Sequence, residues 1–398
     1  MLFSVSLSGS GVDLLLIVIS LIILIGYISE IVFRLTRLPE VLILMGIGIL
    51  LGPVLGLLPQ AYVSVLRGLT PLFGSLALVM IMFNGGKIIK LRKSSVIDST
   101  GYVLAFADTI LPGIIIGIFM WLVFQWPLIY GLLLGVILGE TSVIMVLPLL
   151  KKIKIESRMY NIIAIENTFN SVFSILIFYL LLVPIEGSAL SVPAYIQYSV
   201  SYISIAIMVG LGAGLGWLLV QNIFKGARGY LASIAIAILL YGFVDFFNGA
   251  AVVAVLIYAV IIGNSKAVNR FLKFSRGNET TRAGTAEKDM EFLVRTFFFV
   301  LIGIIATLST YYFIFALVIT MLLIVVRKIE VRGILRYENY RDLVFSLMPR
   351  GLTVAVLSSI YLATGLAYSQ QIFYIAFMVI ILTNISFAIL ARQAARRL

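Results

Sequence analysis

The chain contains no cysteine and no histidine. The first absence excludes disulfides, thiol redox chemistry and thiolate metal sites. The second removes the commonest metal ligand and proton shuttle, so a proton handled near neutral pH must ride on Asp or Glu, or less readily on Lys, Arg or Tyr. Charge is scarce too: 12% of the 398 residues are charged, and Asp and Glu together number 17. There is no phosphate-binding glycine loop, nucleophile–histidine system or metal cluster, so neither an enzyme nor a cofactor is expected. No basic stretch precedes the first apolar run, and a cleaved signal peptide is not expected.

What is abundant is apolar surface, 62% of the residues. Many stretches exceed the roughly 20 apolar residues that cross a bilayer. An all-α polytopic membrane protein is expected, a single transmembrane domain over 1–398 with about thirteen transmembrane helices. The spans read near residues 12–29, 40–58, 68–86, 100–124, 127–150, 158–184, 197–224, 229–246, 249–264, 290–308, 310–327, 343–364 and 370–391. The net charge of +12 does not call for a nucleic-acid partner. Lys and Arg gather on one side, as in Lys87-Lys90-Arg92-Lys93, Lys151-Lys152-Lys154-Arg158 and Arg392-Arg396-Arg397, with Arg67 in an opposite loop and Arg295 and Arg350 inside spans. The positive-inside rule then predicts a multi-pass plasma-membrane protein with its N-terminus outside and its C-terminus cytoplasmic. The polar stretch at 265–289 reads as a cytoplasmic connection.

Polar residues inside the spans are the informative ones. At about 100° per residue, Glu166, Asn167, Asn170, Ser171 and Ser174 share an arc of roughly 140°. A carboxylate at membrane depth costs about 2.5–3.5 kcal/mol on insertion scales, so this arc faces protein or water. Its alternative reading is a packing seam joined by hydrogen bonds. Spans five and twelve are interrupted by Gly139-Glu140-Thr141-Ser142 and Met348-Pro349-Arg350-Gly351. Broken helices bring half-helix ends to one point, where N-termini attract anions and carbonyl ends attract cations. Arg350 cannot lose its proton and needs a carboxylate, so a structural Glu166–Arg350 ion pair is expected. Arg295 is a second intramembrane cation, and Asp108 is either a relay group or locally paired. Asp245 reads as a solvated interface residue.

The interruptions also recur. Leu51-Gly52-Pro53 is answered by Ile262-Gly263-Asn264, and the span-five motif by the span-twelve motif, both about 210 residues later, an offset across an odd number of helices. That predicts two inverted repeats, the first about 12–184 and the second about 229–391, joined by a linker helix at about 197–224.

Five segments together resemble one family. They are Phe83-Asn84-Gly85-Gly86, then Thr141-Ser142 followed by Pro148-Leu149-Leu150-Lys151-Lys152, then Glu166 to Ser171, then Asp289 to Phe299, and Pro349-Arg350-Gly351. In this order, over nearly the whole chain, they are similar to the cation/proton antiporter superfamily, in particular the NhaP-like sodium/proton exchangers. The resemblance implies a homodimer, crossed discontinuous helices in each protomer and elevator-like alternating access. It also marks departures. The family's Glu-Ser-x-x-Asn-Asp reads here Glu166-Asn167-Thr168-Phe169-Asn170-Ser171, so Ser171 stands where the cation-binding Asp is expected. Asn84 replaces a Glu, and Ser142 occupies a position that is Asp in many sodium exchangers.

The reading is a secondary Na⁺ or K⁺/proton antiporter of atypical coupling. Thr141, Ser142, Asn170 and Ser171 line the ion site, since neutral oxygens still hold hard cations. Ser and Asn do not titrate near neutral pH. Glu140 is therefore the candidate proton carrier, with a structural pairing to Arg295 or Arg350 as its alternative. Asn84, Arg295 and Asp108 are possible accessory residues. No metal beyond the transported cation is expected. Rival readings are an uncoupled uniporter or non-transporting member, and an anion or organic-solute transporter using Arg295 and Arg350.

Overall fold

A computed structural model describes residues 9–36, 39–56, 59–89, 99–142, 145–146, 150, 155–186, 191–221, 226–272, 285–335 and 338–395. The basic residues Lys90, Arg92, Lys93, Lys151, Lys152, Lys154, Arg396 and Arg397, the Pro148-Leu149 step and the middle of the 265–289 connection lie outside them. Among the described residues there are fifteen α-helices and no strand: α1 Gly9–Thr36, α2 Glu40–Ile49, α3 Gln60–Ile88, α4 Ser99–Phe124, α5 Leu128–Gly139, α6 Ser157–Ile185, α7 Val192–Val220, α8 Gly226–Phe246, α9 Ala251–Gly263, α10 Ser265–Leu272, α11 Thr285–Ile305, α12 Thr310–Ile334, α13 Glu338–Ser346, α14 Leu352–Thr364 and α15 Ser369–Ala395. Each expected span overlaps a helix, and among the described residues seven helices are long and apolar enough to cross a membrane. Five shorter apolar stretches accompany them, among them α5, α9 and α14.

Proline sets several helix starts. Pro39, Pro59 and Pro127 stand immediately before α2, α3 and α5, each in extended conformation. A fixed φ and a missing N–H suit the start of a helix, where amides have no intrahelical partner. α14 stops at Gly365, whose left-handed φ of 66° closes the helix at no steric cost. α2 runs on into a π turn, Leu50–Val54, around Gly52-Pro53.

The helices form two groups. α4, α5 and α6 pack with α12, α14 and α15; α2, α3 and α9 pack with α1, α7, α8 and α11, and α3 also touches α14. Close backbone approach holds the first group. A Cβ on Gly135 of α5 would lie 2.5 Å from the Pro112 carbonyl and 2.7 Å from Gly113 Cα of α4, so only glycine admits that contact. α6 turns its polar arc inward, while Phe169 and Phe173 leave the arc and meet Tyr102 and Phe106 of α4 edge-on. Outward faces are apolar: Ile196, Val200, Met208 and Leu219 on α7 and Leu24 and Ile28 on α1 are exposed. Leucine and isoleucine facing outward are what a lipid solvent requires.

Candidate ion-binding site

The fifth and twelfth spans are both broken. α5 ends at Gly139, and Glu140 continues in extended conformation with ψ 136°. Residues 347–351 are likewise non-helical between α13 and α14. The two interruptions touch, the Ser142 amide donating to the Pro349 carbonyl at 2.9 Å. Gly351 is the tightest point: a Cβ there would lie 2.5 Å from Ser142 Cβ and would also overlap Ser142 Oγ.

Arg350 serves this break. Its Nη1 donates to the carbonyls of Gly139 at 2.8 Å and Glu140 at 2.9 Å. Those carbonyls form the negative end of α5, so the guanidinium neutralises a helix terminus that has no further turn to bond.

Two asparagines hold the breaks in place. Asn170 of α6 accepts the Thr141 amide on Oδ1 at 2.7 Å. Its Nδ2 donates to Thr109 Oγ1 at 3.0 Å and to the Gly139 carbonyl at 3.3 Å. On the other side, Asn384 of α15 donates to the Arg350 carbonyl at 2.8 Å, and Thr383 Oγ1 accepts the Arg350 amide at 3.2 Å. Thr109, Thr383 and Asn384 were not marked by the sequence reading, because nothing in a linear pattern connects α4 or α15 to a break elsewhere.

Next to Asn170, the Ser171 hydroxyl donates to Glu140 Oε1 at 2.7 Å. Thr353, in the first turn of α14, is within hydrogen-bonding reach of the same carboxylate. Glu140 Oε2 has no protein partner, although the residue is 2% exposed. Thr141, Ser142, Asn170, Ser171 and Glu140 are thus all buried, and they are linked through the broken segments. The assembly offers a carboxylate, hydroxyls and an amide oxygen on one side of a neutralised helix end, a donor set suited to a hard monovalent cation.

Other expectations need correction. Glu166 does not pair with Arg350. Its Oε1 lies 2.6 Å from Arg327 Nη1, and the same nitrogen is 3.2 Å from Asp108 Oδ2. Arg327 Nη2 also donates to the Val344 carbonyl at 3.1 Å. Span eleven reads as ending at residue 327, whereas α12 continues to Ile334 and carries Arg327 inside the protein as the partner of Glu166. The signal was present: Leu323, Val326, Arg327, Glu330 and Val331 are buried at helical spacing. Arg295 pairs with Glu40 of α2 at 2.8 Å, so it braces α2 against α11, away from the break. Asn84 donates to Glu291 Oε2 at 3.1 Å, also joining α3 to α11. Glu140 pairs with neither arginine side by side; Arg350 takes its backbone carbonyl and Ser171 its carboxylate. Asp108 is locally paired through Arg327. Asp245 is exposed near the end of α8.

A separate cavity of about 640 Å³ opens between α3, α14 and α15, lined among others by Ser64, Arg67, Thr70, Ser359, Ser369 and Gln371.

Long apolar helices, two interrupted helices that cross, and a buried carboxylate–hydroxyl cluster at the crossing define a multi-pass membrane protein of the secondary-transporter class. The family model for the sodium/hydrogen exchanger transmembrane region matches residues 19–393, and the chain belongs to that family. Its fold is similar to that of the sodium proton antiporter MjNhaP1 from Methanocaldococcus jannaschii, solved at pH 8, with a TM-score of 0.80 and 18% identity over 97% of this chain and 98% of that one. An electron-microscopy structure of the same antiporter matches with a TM-score of 0.76 and 19% identity over the same shares.

Proposed function

We propose that the protein exchanges a monovalent cation, Na⁺ or K⁺, for protons, and that Glu140 carries the exchanged proton. The observation that carries this reading is the 2.7 Å contact between Ser171 Oγ and Glu140 Oε1. Where the family resemblance leads one to expect Asp, residue 171 is a serine, and the facing segment supplies a carboxylate to the same spot. A cation and a proton then compete for one carboxylate. With a cation bound, Glu140 is ionised and Ser171, Thr141 and Asn170 turn oxygen atoms toward the ion. With a proton bound, Glu140 is neutral and the cation leaves. Competition for one charge gives coupling without any further titrating group.

Alternating access is proposed to be elevator-like, the α4–α6 and α12–α15 group moving against the group that contains α1, α2, α3 and α11. The inverted repeats are supported by a shared construction: each broken helix is followed by a helix, α6 or α15, whose asparagine bonds the break. A plasma-membrane location with the N-terminus outside, and a homodimer, complete the reading. In that orientation the cavity beside Arg67 is the outer approach. Both arginines of the anion reading are engaged, Arg295 by Glu40 and Arg350 by two carbonyls, which favours a cation as cargo.

The test is purified protein in liposomes with an internal pH dye, challenged with Na⁺, K⁺ or Li⁺ across a pH gradient. A cation-dependent pH change is expected, and Glu140→Gln should abolish it while the protein remains folded. Exchange that survives in Glu140→Gln sinks the role of Glu140. Silence toward every cation from folded wild-type protein favours the uncoupled reading, for which Ser171 is the reason.

A further inference from the structure

Beside the crossing lies a second set of buried charges. Asp108 of α4, Glu166 of α6 and Glu330 of α12 surround Arg327, and each is at most 2% exposed. Together with Glu140 and Arg350, four carboxyl groups face two guanidiniums among the described residues. Fully ionised, this core would hold two uncompensated negative charges. An ion taken out of water without compensation costs several kcal/mol, and carboxyl groups in that position are neutralised by protons instead. One of the two excess charges is answered at Glu140, by the proton or cation of the exchange. The other is answered by nothing in the mechanism above.

The geometry shows where that charge is cancelled. Arg327 Nη1 sits against Glu166 Oε1 and Asp108 Oδ2, so its charge is already shared. Glu330, one turn further along α12, lies within hydrogen-bonding reach of Asp108. Apart from the Arg327 ion pair on Asp108 Oδ2, none of the four oxygens of Asp108 and Glu330 has a hydrogen-bond partner among the described residues. Two acceptor-only groups facing each other in a dry interior are repulsive when both are ionised, and a proton between them turns repulsion into a hydrogen bond. The charged groups acting on Glu330 come from its own helix (Arg327), from α4 (Asp108) and from the segment before α14 (Arg350). On α13, Arg341 donates to the Leu335 carbonyl, and Asp342 is one residue further on.

We infer that Asp108 and Glu330 share one bound proton, forming a proton-binding site distinct from Glu140. In this arrangement one carboxyl group carries the O–H and the other accepts it, and the single negative charge of the pair and that of Glu166 are balanced by Arg327 and Arg350. The site adjoins the ion site through adjacent residues: Asp108 precedes Thr109, which accepts from Asn170, and Glu166 stands one helical turn before Asn170. Removing the shared proton places one more negative charge beside the cation.

Infrared spectroscopy of the reconstituted protein, in H₂O and D₂O at neutral pH without transported cation, tests this. The C=O stretch of a protonated carboxyl group separates from that of carboxylates. Glu330→Gln, which keeps the side chain's size, should lose one carboxylic-acid band that Glu140→Gln retains. Asp108→Asn should displace the same band, because the partner of the shared proton changes from carboxylate to amide. A Glu330→Gln spectrum with every acid band intact overturns the inference. If that variant does not fold, an unmoved band in Asp108→Asn overturns it equally. Exchange measured in the same liposomes keeps this result apart from the role of Glu140, since the Glu330-dependent band stands or falls whether or not Glu140→Gln transports.

Discussion

Ser171 and Glu140 face each other across the break, the hydroxyl donating to the carboxylate at 2.7 Å. A hydrogen bond to a charged group contributes about 1.5–3 kcal/mol. Ser171→Ala should therefore weaken cation binding about tenfold or more, since about 1.4 kcal/mol corresponds to a factor of ten. The measurement is the apparent cation KM of exchange, with the maximal rate changed less. Arg327 poses the complementary case. Arg327→Met leaves Asp108, Glu166 and Glu330 without their cation, and breaking a buried pair costs about 3–5 kcal/mol. Thermal unfolding in detergent should drop sharply. The double variant Arg327→Met with Glu166→Gln should recover part of the loss, because the uncompensated charge is removed, and a double-mutant cycle gives that coupling.

At the scale of elements, the two breaks depend on residues that admit no bulk. Gly351 packs against Ser142 with no room for a Cβ. Gly351→Ala must push the crossing segments apart, and overpacking of this kind costs about 1–3 kcal/mol. Helical content should stay near wild type while exchange falls by at least tenfold. Wild-type exchange in Gly351→Ala would mean that the crossing tolerates separation and does not set the ion site. The span boundaries show why this level was only partly legible. Gly139-Glu140-Thr141-Ser142 and Pro349-Arg350-Gly351 announce their breaks through composition, and both are broken. Arg327 does not announce its depth, because the charged run Arg327-Lys328-Ile329-Glu330 looks like the end of a span and is instead a helix with one buried face.

At the scale of the whole molecule, the absence of cysteine makes topology directly measurable. Gln370 and Arg332 are exposed, at the start of α15 and near the end of α12. With the N-terminus outside, Gln370→Cys should react with a membrane-impermeant maleimide added to intact cells, and Arg332→Cys only after the membrane is opened. The reverse pattern would invert the orientation and the assignment of the Arg67 cavity to the outer side. The two helix groups touch chiefly through α3 and α14, with smaller contacts of α6 on α9 and α3 and of α14 on α11, and an elevator movement would slide along that seam.

The sequence by itself determined the medium and the class. Long apolar runs and scarce charge follow from the cost of placing polar groups in lipid, a cost each span carries alone. It also marked the broken helices and the polar arc of α6, since each is a local departure from an apolar pattern. Partnership was decided only by the tertiary structure. Whether Glu166 meets Arg350 or Arg327, and whether Glu140 answers an arginine or Ser171, depends on how α4, α5, α6, α12 and the segment before α14 converge. Several carboxylates and arginines of opposite sign compete for those places, and distances of a few ångströms, set by glycine-to-backbone contacts such as Gly135 on Pro112, choose among them.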